Sequence, residues 1–208
     1  MTDSRLNTLR NWLKGLQPNW QLDLDTLTPA SADASFRRYF RIESKNPDFG
    51  TLIVMDAPPQ HEPLDAFIQV DFLLLAAGLN VPKILEQNAA DGFLLLSDLG
   101  NETYLMALNE HSANALYQDA TDALIKMQLA SKPDVLPNYD RALLQRELDL
   151  FPEWYLHKHL GIELNTQQQA QLKQSFELII ENNLAQAKVY VHRDYHSRNL
   201  MVTSVNNP

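Results

Sequence analysis

Three residues near the end of the 208-residue sequence have the types and spacing to do chemistry together. They are His192, Asp194 and Asn199, in the run His192-Arg193-Asp194-Tyr195-His196-Ser197-Arg198-Asn199. A carboxylate such as Asp194 can orient an acceptor hydroxyl and take its proton. A carboxamide five positions later, Asn199, can offer a neutral oxygen to a magnesium ion that holds nucleotide phosphates. The H-x-D-x-x-x-x-N order therefore points to phosphoryl transfer. Two other readings fit the same residues: a strand-turn-strand corner with a few exposed charges, and an H-x-D-x-H metal cluster of His192, Asp194 and His196. The metal cluster would need further carboxylate or histidine ligands, and His157 and His159 fall in a different predicted helix.

The polar run must be held by what flanks it. Apolar residues at 189–191 and 200–202 predict a strand on each side. Upstream, residues 3–17 carry Leu6, Leu9, Trp12, Leu13 and Leu16 at helical spacing, with Pro18 closing the helix. The period then becomes that of strands, over 20–27, 36–43 and 51–55, which predicts an antiparallel meander. In the second of these, Phe36, Arg38, Phe40 and Ile42 share one face, while Arg37, Tyr39, Arg41 and Glu43 share the other. A helix over 60–78 ends at a glycine, and 81–85 and 93–96 predict two more strands. The polar break at 97–101 reads as a lobe boundary. Helices follow over 111–130, over 140–159 with an interruption near Pro152, and over 166–185 with Thr166 as cap. The expected fold class is α+β. An N-terminal helix and five-stranded lobe occupy 1–98, and a helical lobe over 99–208 ends just after the polar loop.

Charge and composition narrow the partners. Seventeen basic against 26 acidic residues give a formal charge of −9, which argues against a nucleic-acid partner. An anionic ligand then needs a local basic or metal site. The absence of cysteine leaves no disulfide or thiolate metal site and fits a reducing cytosol. The first residues are polar with no apolar signal core, and the longest apolar runs, 72–77 and 93–96, are too short to span a bilayer. A cytoplasmic protein with no membrane partner is expected. Oligomeric state leaves no trace in the sequence.

Four stretches together resemble the aminoglycoside phosphotransferase-like small-molecule kinases, which share the protein-kinase fold. One is the loop from His192 to Met201. The others are Ala30-Ser31-Ala32-Asp33-Ala34-Ser35-Phe36-Arg37-Arg38-Tyr39-Phe40, Val54-Met55-Asp56-Ala57-Pro58-Pro59 and Leu94-Leu95-Leu96-Ser97-Asp98-Leu99-Gly100. Within that family they look most like the anomeric kinases for N-acetylmuramate and N-acetylglucosamine of cell-wall recycling. The resemblance implies a bilobal protein-kinase-like fold and ATP-dependent phosphorylation of a small-molecule substrate, an amino sugar, with ATP and Mg2+. It implies that Asp194 is the catalytic base, that Asn199 is a metal ligand, and that His192 and His196 support the loop. Either histidine is equally well read as a packed, hydrogen-bonded residue. It further implies that Leu96, Asp98 and Leu99 form the hinge whose backbone pairs with adenine, and that Ser31, Ala32 and Ser35 lie over the phosphates.

The sequence departs from the family pattern in three places. The loop over the phosphates has alanine and serine in place of glycine. The third strand has Met55 where the family has a phosphate-pairing lysine, which leaves Arg37 and Arg38 as the nearest cations. Arg38 is taken as the cofactor-binding one, and Asp71 as the acid replacing the lysine's partner glutamate. Finally, no Asp or Glu follows Asp194, so the family's second metal-binding aspartate is missing. The chain therefore reads as the N-terminal piece of a longer kinase, with little activity expected of it alone. Two alternatives remain at this point: a pseudokinase-like binding module, and an aminoglycoside-modifying phosphotransferase, whose polycationic substrate would suit the acidic charge.

Overall fold

Five strands form one antiparallel sheet: β1 (Leu22–Ser31), β2 (Arg38–Ser44), β3 (Thr51–Asp56), β4 (Ile84–Asn88) and β5 (Phe93–Ser97), in the order β1-β2-β3-β5-β4. The computed structural model describes residues 3–31 and 36–203, and of Ser31 the backbone alone. Register explains why β3 and β5 read as unbroken apolar runs. Phe40, Val54 and Leu95 stand side by side across three strands, and so do Tyr39, Met55 and Leu94. The first row packs against helix α1 (Ser4–Trp20) through Leu9 and Leu13, both 0% exposed. The second lies with Leu64, Phe67 and Ile68 of α2 (Leu64–Ala76). A sheet covered on both faces needs apolar residues on both faces, and each fully buried leucine contributes about 2 kcal/mol.

Local chemistry sets the ends of these helices. Asp3 caps α1 by accepting from the Leu6 N–H at 3.0 Å. Pro18, expected to close this helix, lies inside it, where the one bond it removes is in the last turn. Gln21, in the left-handed conformation at φ 49°, ends the helix instead. Helix α2 closes in a Schellman turn: Leu79 N–H donates to Leu74 O, Gly78 N–H to Leu75 O, and Gly78 has φ 77°.

The chain divides into two compact units, Met1–Met127 with Asp194–Pro208, and Gln128–Arg193. This division does not coincide with the expected boundary at 98/99. The first unit holds the sheet, α1, α2, the short α3 (Tyr104–Ala107), most of α4 (Ala113–Leu129) and the chain from Asp194 onward. In its helical part Leu116 and Ala120 of α4 pack with Tyr104 and Leu200. The second unit holds α5 (Arg141–Leu150), a π-helical stretch Phe151–His159 and α6 (Thr166–Leu184). Pro152 stands at the start of the π-helical stretch, as the expected interruption of helix 140–159 requires. Helix α6 is capped by Asn165, not by Thr166: Asn165 accepts from the Gln168 N–H, and the Gln168 side chain accepts from the Asn165 N–H.

The strands expected over 189–191 and 200–202 do not form a hairpin. Among the described residues, the first run joins no ladder, and the second makes a single bridge, between Met201 and Thr103. Val189 and Val191 are exposed, whereas Leu200 is buried among α3 and α4 residues. The periodicity was that of a strand, but the packing partner of the second run is helical. Among the described residues no helix is long and apolar enough to cross a membrane.

Candidate active site

The segment after Arg193 is held in place by helices. Tyr104 N–H donates to Leu200 O at 2.8 Å, Leu105 N–H to Ser197 O at 2.9 Å, and Val202 N–H to Glu102 O at 2.8 Å. The Tyr195 hydroxyl donates to Ala120 O at 2.6 Å. Each bond fixes one side of the turn 196–199, which Asn199 N–H closes onto His196 O. Helix α3 was not read from the sequence. Its one signal was Thr103, whose hydroxyl caps it by accepting from the Met106 N–H.

At the tip of this turn Asp194 and Asn199 meet. Asn199 Nδ2 donates to Asp194 Oδ2 at 2.6 Å and to Asp194 O at 3.0 Å. His196 is added from the other side, with Nε2 2.9 Å from Asp194 Oδ1. Its Nδ1 accepts from the Arg198 N–H at 3.2 Å, so a neutral imidazole carries its proton on Nε2, facing the carboxylate. The carboxylate is thereby fixed from both sides, yet its side chain is 69% exposed. Asn199 Oδ1 meets no donor among the described residues. His192 and Arg193 belong to the second unit. Arg193 adopts φ 71° and pairs with Glu147; His192 is exposed.

The hinge residues sit at the end of β5. Leu96 is buried between Ile53 and Ile84 of the neighbouring strands. Asp98 turns its carboxylate toward β2, where Arg41 grips it with Nε at 2.5 Å and Nη2 at 3.0 Å. Burial alone would raise the Asp98 carboxyl. Hydrogen bonds from Arg41, Thr51 and the Gly100 N–H, together with the Arg41 charge, hold it below the usual carboxylate range. Sequence reasoning missed Arg41, because nothing local ties it to a partner 57 residues away.

Arg38, expected beside the nucleotide, requires a correction. It lies on the face covered by α1, donating to Asp56 at 2.9 and 2.6 Å and pairing with Asp3. Arg5 completes the cluster at 2.6 Å from Asp56, whose side chain is fully buried. The reason is alternation: Arg38 shares its face with Phe40 and Ile42, so a cation there is matched by a buried acid. Arg37 falls on the other face, over the Phe67 ring of α2 and paired with Glu62. Met55 is fully buried beside Leu64 of α2. Asp71 is on the same stripe of α2, 8% exposed, and burial pushes its carboxyl up to about 6. The expectation for Ser31, Ala32 and Ser35 falls outside the described residues, apart from the Ser31 backbone, which pairs with Tyr39 at the end of β1.

Residues 26–208 match the family model described as APH, phosphotransferase enzyme family. The chain belongs to this phosphotransferase family. Among curated relatives of this chain, the N-acetylmuramate/N-acetylglucosamine kinase of Pseudomonas aeruginosa is 46% identical over 211 residues, covering 98% of this chain and 62% of that protein. The protein of the same name from Neisseria meningitidis is 42% identical, covering 94% and 58%. The chain thus spans about three fifths of the length of these relatives. Among solved structures, choline kinase from Cryptosporidium parvum aligns at TM-score 0.56 and 11% identity, covering 97% of this chain and 62% of that one. The streptomycin-ATP-APH(2'')-IIa ternary complex aligns at 0.54 and 13%, covering 93% and 66%. At such identities these two likenesses establish the protein-kinase-like α+β fold.

The chain's donor set for a metal ion is partial. Asn199 Oδ1 is a neutral oxygen beside the exposed Asp194 carboxylate, a suitable pair for magnesium, which takes a few protein oxygens and completes its shell with phosphates and water. Among the described residues no group of three or more His, Cys, Asp or Glu side chains could hold a metal. The H-x-D-x-H cluster is therefore not formed: His196 spends its Nε2 on Asp194.

Proposed function

We propose that the chain carries the nucleotide-holding lobe and catalytic loop of an ATP-dependent kinase that phosphorylates an amino sugar of the N-acetylmuramate/N-acetylglucosamine class at its anomeric hydroxyl. The observation that carries this reading is the Asp194–Asn199 pair. The amide nitrogen fixes the carboxylate at 2.6 Å while the carboxylate stays open to solvent. The substrate class is taken from the relatives' names. Asp194 would accept the proton of the sugar hydroxyl as its oxygen bonds to the γ-phosphorus. The bond from that phosphorus to its bridging oxygen breaks, ADP leaves with the electron pair, and the proton passes from Asp194 to water. A magnesium ion, when bound, would offset charge on the phosphate oxygens, and Asn199 Oδ1 would be one of its ligands. His196 keeps Asp194 in one rotamer. Leu96, Asp98 and Leu99 would receive the adenine through backbone groups, and Arg37 stands on the face where the family's lysine is missing. His192 would support the loop.

The test is transfer of labelled γ-phosphate to N-acetylmuramate, N-acetylglucosamine and an aminoglycoside, with the protein at its full encoded length. Asp194→Asn is expected to lower kcat by about 10³-fold or more with nucleotide affinity nearly unchanged. Turnover by Asp194→Asn at the wild-type rate would remove the base assignment, and transfer to the aminoglycoside alone would replace the substrate class. A second reading is favoured by Met55, a fully buried thioether in place of the lysine: a nucleotide-binding module without turnover. Tight ATP binding with no transfer to any acceptor would select it.

A further inference from the structure

A second polar network of the first unit, apart from the catalytic turn and the Asp56 cluster, surrounds Asp98. Its carboxylate, 5% exposed, receives four hydrogen bonds. Arg41 donates from Nε at 2.5 Å and from Nη2 at 3.0 Å, Thr51 Oγ1 donates at 2.7 Å, and the Gly100 N–H donates at 2.9 Å. Two further bonds from the same guanidinium extend the grip: Arg41 Nη2 also donates to Gly100 O at 3.0 Å, and Nη1 donates to Asn101 Oδ1. One guanidinium on β2 thus holds three of the four residues 98–101, and β3 contributes Thr51.

Leu99, the residue this network does not touch, stands in the middle of the held segment. Its N–H and carbonyl meet no partner among the described residues, although the segment before it is paired on both sides. Gly100 follows at φ 95°, a left-handed conformation that turns the chain away immediately afterwards. A loop free to relax would pair these groups or wander. Here a half-buried ion pair, with its fork geometry and planar donors, defines the path of the backbone around one donor and one acceptor left open.

We propose that Arg41 is a positioning residue for nucleotide recognition, acting through Asp98 to hold the Leu99 backbone N–H and carbonyl where they can pair with the edge of a purine base. The inference rests on the phosphotransferase reading above. Asp98 then contributes no side-chain contact to the nucleotide. Its carboxylate is consumed by Arg41, and base selection falls to the backbone.

The test compares adenosine, ATP and tripolyphosphate binding to the 208-residue chain by calorimetry, for wild type, Arg41→Gln, Arg41→Lys and Thr51→Val. Arg41→Gln is expected to weaken adenosine and ATP about tenfold and to leave tripolyphosphate unchanged. Thr51→Val keeps the side-chain shape, removes one bond to Asp98 and is expected to weaken adenosine about two- to threefold. Arg41→Lys keeps the charge but not the fork, and is expected to behave nearly as Arg41→Gln. Thr51→Val serves where Arg41→Gln does not fold. Equal adenosine affinity in the wild type and the folded variants overturns the inference, as does full rescue by lysine or an equal loss for tripolyphosphate. A wild-type chain that binds neither adenosine nor ATP overturns the nucleotide reading beneath it.

Discussion

Replacing Asp71 by asparagine should make the chain more stable at neutral pH and leave it little changed in acid. Asp71 is 8% exposed on the sheet-facing stripe of α2, and no donor or cation among the described residues meets its carboxylate. Burial raises the carboxyl from 3.8 to about 6. Between those values the folded chain retains a proton that the unfolded chain has released. Stability therefore falls as pH rises through that window, and the full cost is present above about 6. The whole displacement corresponds to ~3 kcal/mol. Solvent reaches part of the carboxylate, which reduces the expected cost to about 1–2 kcal/mol. Urea unfolding of wild type and Asp71→Asn, at about pH 4 and about pH 7.5, measures it. A Trp154→Phe background leaves Trp12 and Trp20 of the first unit as the reporters. The variant should gain about 1–2 kcal/mol on the wild type between the two conditions. Parallel pH profiles would show that burial does not hold a proton on Asp71.

Two further substitutions test the packing around the site. A Cβ at Gly92 would stand 1.9 Å from Ala57 O, with φ 75°, so Gly92→Ala should cost about 3 kcal/mol or more, against about 1 kcal/mol for Gly78→Ala, which has φ 77° but open space. Equal losses in urea unfolding would refute the clash. The Tyr104 hydroxyl is fully buried with no partner among the described residues; burial, with Asp119 and Tyr195 nearby, pushes it up to about 12. Tyr104→Phe should leave stability unchanged or raise it by about 1 kcal/mol, and a loss of that size in thermal melts would reveal a bonded hydroxyl.

The sheet was legible because both signals it needs are local: the period of two in β2, and the unbroken apolar runs of β3 and β5. Residues 192–199 were legible because the spacing of Asp194 and Asn199 makes them meet across one turn. What failed depended on partners distant in sequence. Val189–Val191 looks like a strand until its missing ladder is seen, and Leu200 packs against helices that begin at Tyr104. Arg38 and Arg41 are three residues apart on one strand with the same side chain. Alternation sends one to Asp56 and the other to Asp98, and the carboxylates decide their roles. Thr166 and Asn165 are both good caps; the Gln168 side chain, which completes the box with Asn165, decides between them.

The acid cluster at Asp56 also imposes a timetable on biosynthesis. Arg5 donates to Asp56 across 51 residues and to Asp91 O across 86. The first helix is therefore synthesised before either acceptor, and its contacts with Asp91 and Phe93 form only once the β4–β5 turn has been made. Until then Leu9 and Leu13 lack the sheet face that covers them, and the emerging chain is exposed to association with other apolar surfaces. Once Asp91 and Phe93 are in place, Arg5 spans β3 and the β4–β5 turn and lies 4.9 Å over the Phe93 ring. A helix made before the sheet is then the clasp that closes it.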